Sequence, residues 1–88
     1  MDHDFLYVRL SDLQTLSPAE AVVLAYIAAV ADYAAKNPHQ WQRFSDAAAS
    51  RVLGLSKVGN VLKRLEALGR LESRWPGGRK SREVRFAK

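Results

Sequence analysis

The sequence contains no cysteine, so it can form neither a disulfide framework nor a thiolate metal site. Histidine is scarce. His3 lies in the acidic start and His39 beside Pro38, and neither belongs to a spaced ligand cluster or a His-Glu helix motif. The longest apolar run, Ala21 to Ala31, is 11 residues, about half of the ~20 that a transmembrane helix needs. The start, Met-Asp-His-Asp, lacks the positive region of a secretory signal. A cytoplasmic protein is the expectation. No serine or cysteine nucleophile motif with a nearby base is present. The pair Gly77-Gly78 is too short for a nucleotide-phosphate loop. The reading is therefore not an enzyme, with no metal and no cofactor. Internal repeats, low-complexity segments and interdomain linkers are also lacking.

What is there is one small domain. A chain of 88 residues that is 48% hydrophobic has room for a single core and too much apolar character for a disordered chain. Its net charge of +5 is unevenly spread. Residues 1–44 hold 3 basic and 5 acidic side chains, net −2, whereas residues 45–88 hold 11 basic and 4 acidic, net +7. Such asymmetry favours a polyanionic partner on the C-terminal side, although net charge alone fits a solubilising surface equally well.

The chain reads in order as an N-terminal extension over residues 1–16, helices over 17–37, 45–54 and 56–69, and a β-hairpin over 70–88. Within the extension, Phe5 to Leu10 is rich in aromatic and β-branched residues and reads as extended. Ser11 to Leu16 fits one helical turn. Ser17-Pro-Ala-Glu20 is a capping box with proline at the first helical position. The helix it starts is apolar on every face through Val30 and needs cover all round; dimerisation through an alanine-rich side of this helix or through the N-terminal segment is the expectation. Gln40 to Phe44 alternates polar and aromatic residues, the period of a short half-buried strand. Ser45 caps the second helix, with Ala48, Val52 and Leu53 as its inner face, and Gly54 ends it. Leu55 plugs the turn and Ser56 caps the third helix. There Val58, Val61, Leu62, Leu65 and Leu68 form one apolar stripe, and Gly69 ends it. Trp41 and Trp75 read as core anchors, and Tyr7, Tyr26 and Tyr33 as packing residues.

This order of elements resembles the winged helix-turn-helix superfamily. The residues carrying the resemblance are Leu16 to Glu20, Phe44-Ser45, Leu53-Gly-Leu-Ser56, Leu62 to Glu66 and Leu68-Gly-Arg-Leu71, so it covers residues 16–88. The interval from Ser56 to Leu65 is a couple of residues shorter than usual in that superfamily. The resemblance implies an α+β fold, mainly α, with a three-helix core and a C-terminal wing. It also implies a sequence-specific double-stranded DNA-binding protein, a transcriptional repressor acting as a homodimer. Three other roles fit the same residues: a plasmid or phage replication or partition factor on repeated sites, a protein-interaction winged helix, and RNA binding. The residues themselves suit DNA. The third helix sets Lys57, Asn60, Lys63 and Arg64 opposite its apolar stripe, where Asn60 can bond adenine and the cations guanine or phosphate. Ser45 and Ser56 stand at helix starts, where hydroxyl and backbone N–H groups can hold phosphates. Gly59 permits close approach of backbone to a phosphate or base, or is a tolerated flaw in the helix. Arg74, Arg79, Lys80 and Arg82 of the wing suit the DNA backbone or minor groove. No small-molecule effector site is expected, because packing uses the apolar residues.

Overall fold

The capping box places the first long helix. In the computed structural model, which describes residues 6–34, 37, 39–78 and 82–87, α2 runs Pro18–Ala34. The Ser17 N–H donates to Glu20 Oε1 at 3.0 Å, and the Glu20 N–H donates to Ser17 Oγ at 3.3 Å, so each side chain satisfies the other residue's orphan N–H. The expected end of this helix near Pro38 and the Tyr33 side chain fall outside the described residues.

Ahead of it, α1 spans Leu10–Thr15, which bears out the short helical turn. Of the expected extended segment, Leu6 to Arg9 join no strand and Leu10 is already helical. Arg9 keeps extended backbone at φ −70° and ψ 137°, and Leu6 and Val8 are half-buried while Tyr7 and Arg9 are exposed. A 2.7 Å ion pair from Asp12 to Arg70 ties α1 down.

Helix α3, Asp46–Leu53, is capped by Ser45 Oγ, which accepts from the Ala48 N–H at 3.1 Å. Gly54 ends it at φ 66°. The following turn closes when the Leu55 N–H donates to the Ser50 carbonyl and the Ser50 hydroxyl donates to the Leu55 carbonyl. The inner face differs from expectation by one residue. Ala49 is fully buried, Leu53 is half-buried against the core, and Val52 is exposed. Asp46, Ala49 and Leu53 therefore share the inward side, at i, i+3 and i+7.

Helix α4, Val58–Ala67, realises the apolar stripe: Val58, Leu62 and Leu65 are buried and Val61 is half-buried. Leu68 is the exception, 57% exposed, because the helix has ended. Gly69, at φ 74°, turns the chain, with its own N–H on Glu66 O and the Arg70 N–H on Leu65 O at 2.9 Å. This is the Schellman pattern of a helix C-terminus.

Strands β1 (Gln42–Arg43), β2 (Leu71–Arg74) and β3 (Glu83–Phe86) form an antiparallel sheet in the order β1-β3-β2. The hairpin is as expected, and β1 extends it to three strands. Opposed residues point to one face, so Ser73, Val84 and Gln42 lie in one row on the inner face, and Arg74, Glu83 and Arg43 in one row on the outer. The inward member of β1 is thus Gln42, whose amide reaches the Ile27 carbonyl at 3.4 Å, and not Trp41. One core unites the layers: Val23, Leu24 and Ile27 of α2 with Leu62, Leu65, Leu71 and Val84. Among the described residues the architecture is thus α+β, four helices and a small antiparallel sheet.

Leu65→Ala should cost about 2–5 kcal/mol in urea unfolding, as a fully buried leucine truncation. Lys63→Ala, on the opposite face of α4, should stay within about 0.5 kcal/mol.

Candidate nucleic-acid interface

With Leu62 and Leu65 turned inward, the helical period turns Asn60, Lys63, Arg64 and Ala67 outward, and all four are exposed. Together with Ser56, Lys57 and Val61, the polar members of this face line a shallow depression of about 410 Å³. Lys57 and Lys63 have no ion pair, and the Asn60 carboxamide no hydrogen bond, among the described residues. Arg64 lies 3.7 Å from Glu20 with its side chain still 71% exposed, so it too is free to reach outward.

The start of α4 departs from expectation. Ser56 does not cap the helix. The N-cap is Lys57, in the left-handed region at φ 57° and ψ 42°, with no side-chain cap bond. It is the one non-glycine residue at positive φ among the described residues. For a residue with a Cβ this conformation costs about 1–2 kcal/mol, and backbone strain of this kind collects at functional sites. Ser56 remains exposed beside it.

Gly59 faces the protein rather than a ligand. A Cβ there would meet Asp46 Oδ2 at 3.2 Å, so the glycine makes room for a carboxylate. That carboxylate is occupied. Arg82 Nη1 bonds Asp46 Oδ1 and Oδ2 at 3.2 and 3.1 Å. The Arg82 guanidinium carbon also sits 4.8 Å from the centre of the Trp75 ring, and its side chain is only 11% exposed. Arg82 therefore clamps the root of the hairpin to the start of α3, which corrects its assignment as a free wing cation.

Arg74 is likewise engaged. It bonds Glu83 at 2.6 Å, and its guanidinium carbon and that of Arg85 each lie 4.4 Å from the Trp41 ring centre. Arg85 also bonds Glu72 at 2.7 Å. The two tryptophans are not core anchors: each is a seat for arginine, worth about 0.5–2 kcal/mol per contact depending on desolvation. Arg79 and Lys80 lie outside the described residues. Ser45 is exposed, with its oxygen already accepting from Ala48.

Sequence reasoning missed Arg43, exposed on β1 and without an ion pair among the described residues. Its alternation with Gln42 was the available signal. Arg51, on α3, is also exposed and unpaired among the described residues. Among these residues no group of three or more His, Asp or Glu could hold a metal ion, and no helix is long and apolar enough to cross a membrane. No protein-family model, curated protein sequence or solved structure matches the chain.

Arg82→Ala should destabilise the fold by about 1–3 kcal/mol, because it leaves Asp46 without its partner. Arg74→Ala, at an exposed pair, should cost less than about 1 kcal/mol. Denaturant unfolding of the two variants separates the clamp from the surface pair.

Proposed function

We propose that the chain is a winged helix-turn-helix protein that binds double-stranded DNA sequence-specifically as a transcriptional regulator, with α4 in the major groove. The observation that carries this reading is the α4 face: Lys57, Asn60, Lys63 and Arg64 stand exposed on a helix whose other side is locked into the core. A groove-reading helix needs both properties, a rigid seat and free donors of the kinds that bond guanine, adenine and phosphate. The C-terminal excess of positive charge supports the same reading. Arg43 and Arg51 add free cations for the DNA backbone.

A homodimer on a two-fold site completes the proposal. Tyr7, Leu10 and Leu13 leave apolar surface exposed on the N-terminal segment and α1. Asp12 of α1 pairs with Arg70, which follows the C-terminal end of α4, whereas Lys57 begins its N-terminal end. Contact between copies through α1 therefore leaves both reading faces open, for grooves one DNA turn apart.

Duplexes selected from a random pool should bind with an affinity that falls steeply with salt, the slope of log affinity against log salt steepening by roughly one per phosphate neutralised. Lys63→Ala with Arg64→Ala should abolish specific binding without changing the circular dichroism spectrum. Retained affinity removes α4 as the reader. Lys57→Gly gives the sharper separation. It should stabilise the fold by about 0.5–1 kcal/mol, by relieving left-handed strain, while weakening DNA binding. Sedimentation should show self-association that Leu10→Ser with Leu13→Ser abolishes; monomer alone at high concentration rules out the dimer.

A further inference from the structure

A second depression, sharing no residue with the α4 face, opens between the N-terminal segment, α2 and the end of β3, with a volume of about 280 Å³. Its floor is apolar, built from Leu24, Ala25 and Ala28 of α2 with Phe86 and Ala87. The two alanines create the space, since a longer side chain at either position would fill it. Its rim carries Arg9, Asp12, Arg70 and His39, which sum to one excess positive charge with His39 neutral.

The rim cations have unused donors. A guanidinium carries five N–H donors in one plane, and Arg70 commits only Nη2, to Asp12 Oδ1 at 2.7 Å. Arg9 is exposed and makes no ion pair among the described residues. His39 Nδ1 faces the Phe86 carbonyl at 3.3 Å, so the neutral ring commits its proton there and adds no donor for an anion. A single carboxylate, Asp12, stands among these groups, so a monoanion brings the rim to neutrality. The volume lies near the lower end of small-molecule sites, about 300–1,000 Å³, too small for a nucleotide cofactor.

We infer that this cleft binds a small organic monocarboxylate. The ligand's ring or short chain lies on Leu24, Ala28 and Phe86, and its carboxylate meets Arg70 and Arg9. Binding here is independent of whether α4 meets DNA, and its test contains no DNA.

Benzoate is the probe, titrated calorimetrically into the full chain at low salt, with benzyl alcohol as the uncharged control. A dissociation constant on the order of 0.1–1 mM is expected for so small a ligand. The melting temperature should rise with benzoate concentration by mass action, and benzyl alcohol should bind at least roughly tenfold more weakly. Ala28→Leu, which fills the floor, should weaken benzoate at least roughly tenfold. Arg9→Gln, at an exposed position with no ion pair among the described residues, should weaken benzoate several-fold and leave benzyl alcohol unchanged, so the test does not depend on how Ala28→Leu folds. No saturation below about 10 mM, equal affinity for benzyl alcohol, or affinity unaltered by Arg9→Gln overturns the site.

Discussion

The burial of Leu62 and Leu65 against α2 governs the rest of the structure. Both side chains are completely inaccessible, packed with Val23, Leu24 and Ile27. In an α-helix one rotation fixes every residue. Once these two leucines point inward, Asn60, Lys63 and Arg64 have no choice but to point outward. The same packing that stabilises the domain therefore presents the polar face. It also explains why α2 tolerates an apolar surface on nearly every side: α1, α3 and α4 all pack against it. The capping box supplies polar contacts at its first turn.

Charge is sorted by a second constraint, the limited supply of carboxylates. Asp12, Asp46, Glu72 and Glu83 each hold an arginine outside α4, at 2.6–3.1 Å. Every ion pair among the described residues uses arginine, and none uses lysine. A planar guanidinium fits carboxylates and aromatic faces, whereas an ammonium group remains a hydrated point charge. The result is that the sheet's outer surface, rich in arginine by sequence, is largely neutralised, with Trp41 and Trp75 as seats for the cations. Among the described residues the free positive charge is Lys57 and Lys63, with the outward Arg64 and the outlying Arg9, Arg43 and Arg51. Net charge counted along the chain says little about where free charge sits, since Arg74, Arg82 and Arg85 are each held by a carboxylate.

Local signals were legible, and long-range ones were not. Ser17 with Glu20, Ser45, Gly54 and Gly69 act within four or five residues of themselves, and each does what its position predicts. The stripe on α4 was legible for the same reason, since its period is a property of one helix. The pairing of Asp46 with Arg82, 36 residues apart, has no local mark, and so the space that Gly59 leaves for it could not be foreseen. The rotation of α3 by one residue depends on the same pair, because Asp46 must face inward to reach it. Trp41 was misread because alternation sets two faces without saying which is inner, and here the amide of Gln42 had a carbonyl to reach while the indole had two guanidinium groups. The cleft beside Ala28 escaped notice because a small residue announces neither contact nor void until its neighbours are placed.

Lys57 brings these threads together. Three glycines take positive φ in this chain, Gly54, Gly69 and Gly78, each where a helix ends or the hairpin turns. At the fourth such position stands a lysine, although glycine would relieve the strain there. Its side chain caps nothing and pairs with nothing among the described residues, so no contact within the described fold offsets the cost. What the conformation does achieve is placement. It sets an ammonium group at the N-terminal edge of the α4 face, next to Asn60, where the helix dipole already favours an anion. A strained backbone with an unpartnered cation makes physical sense if the compensating contact comes from outside the chain, and the charge of that contact has to be negative.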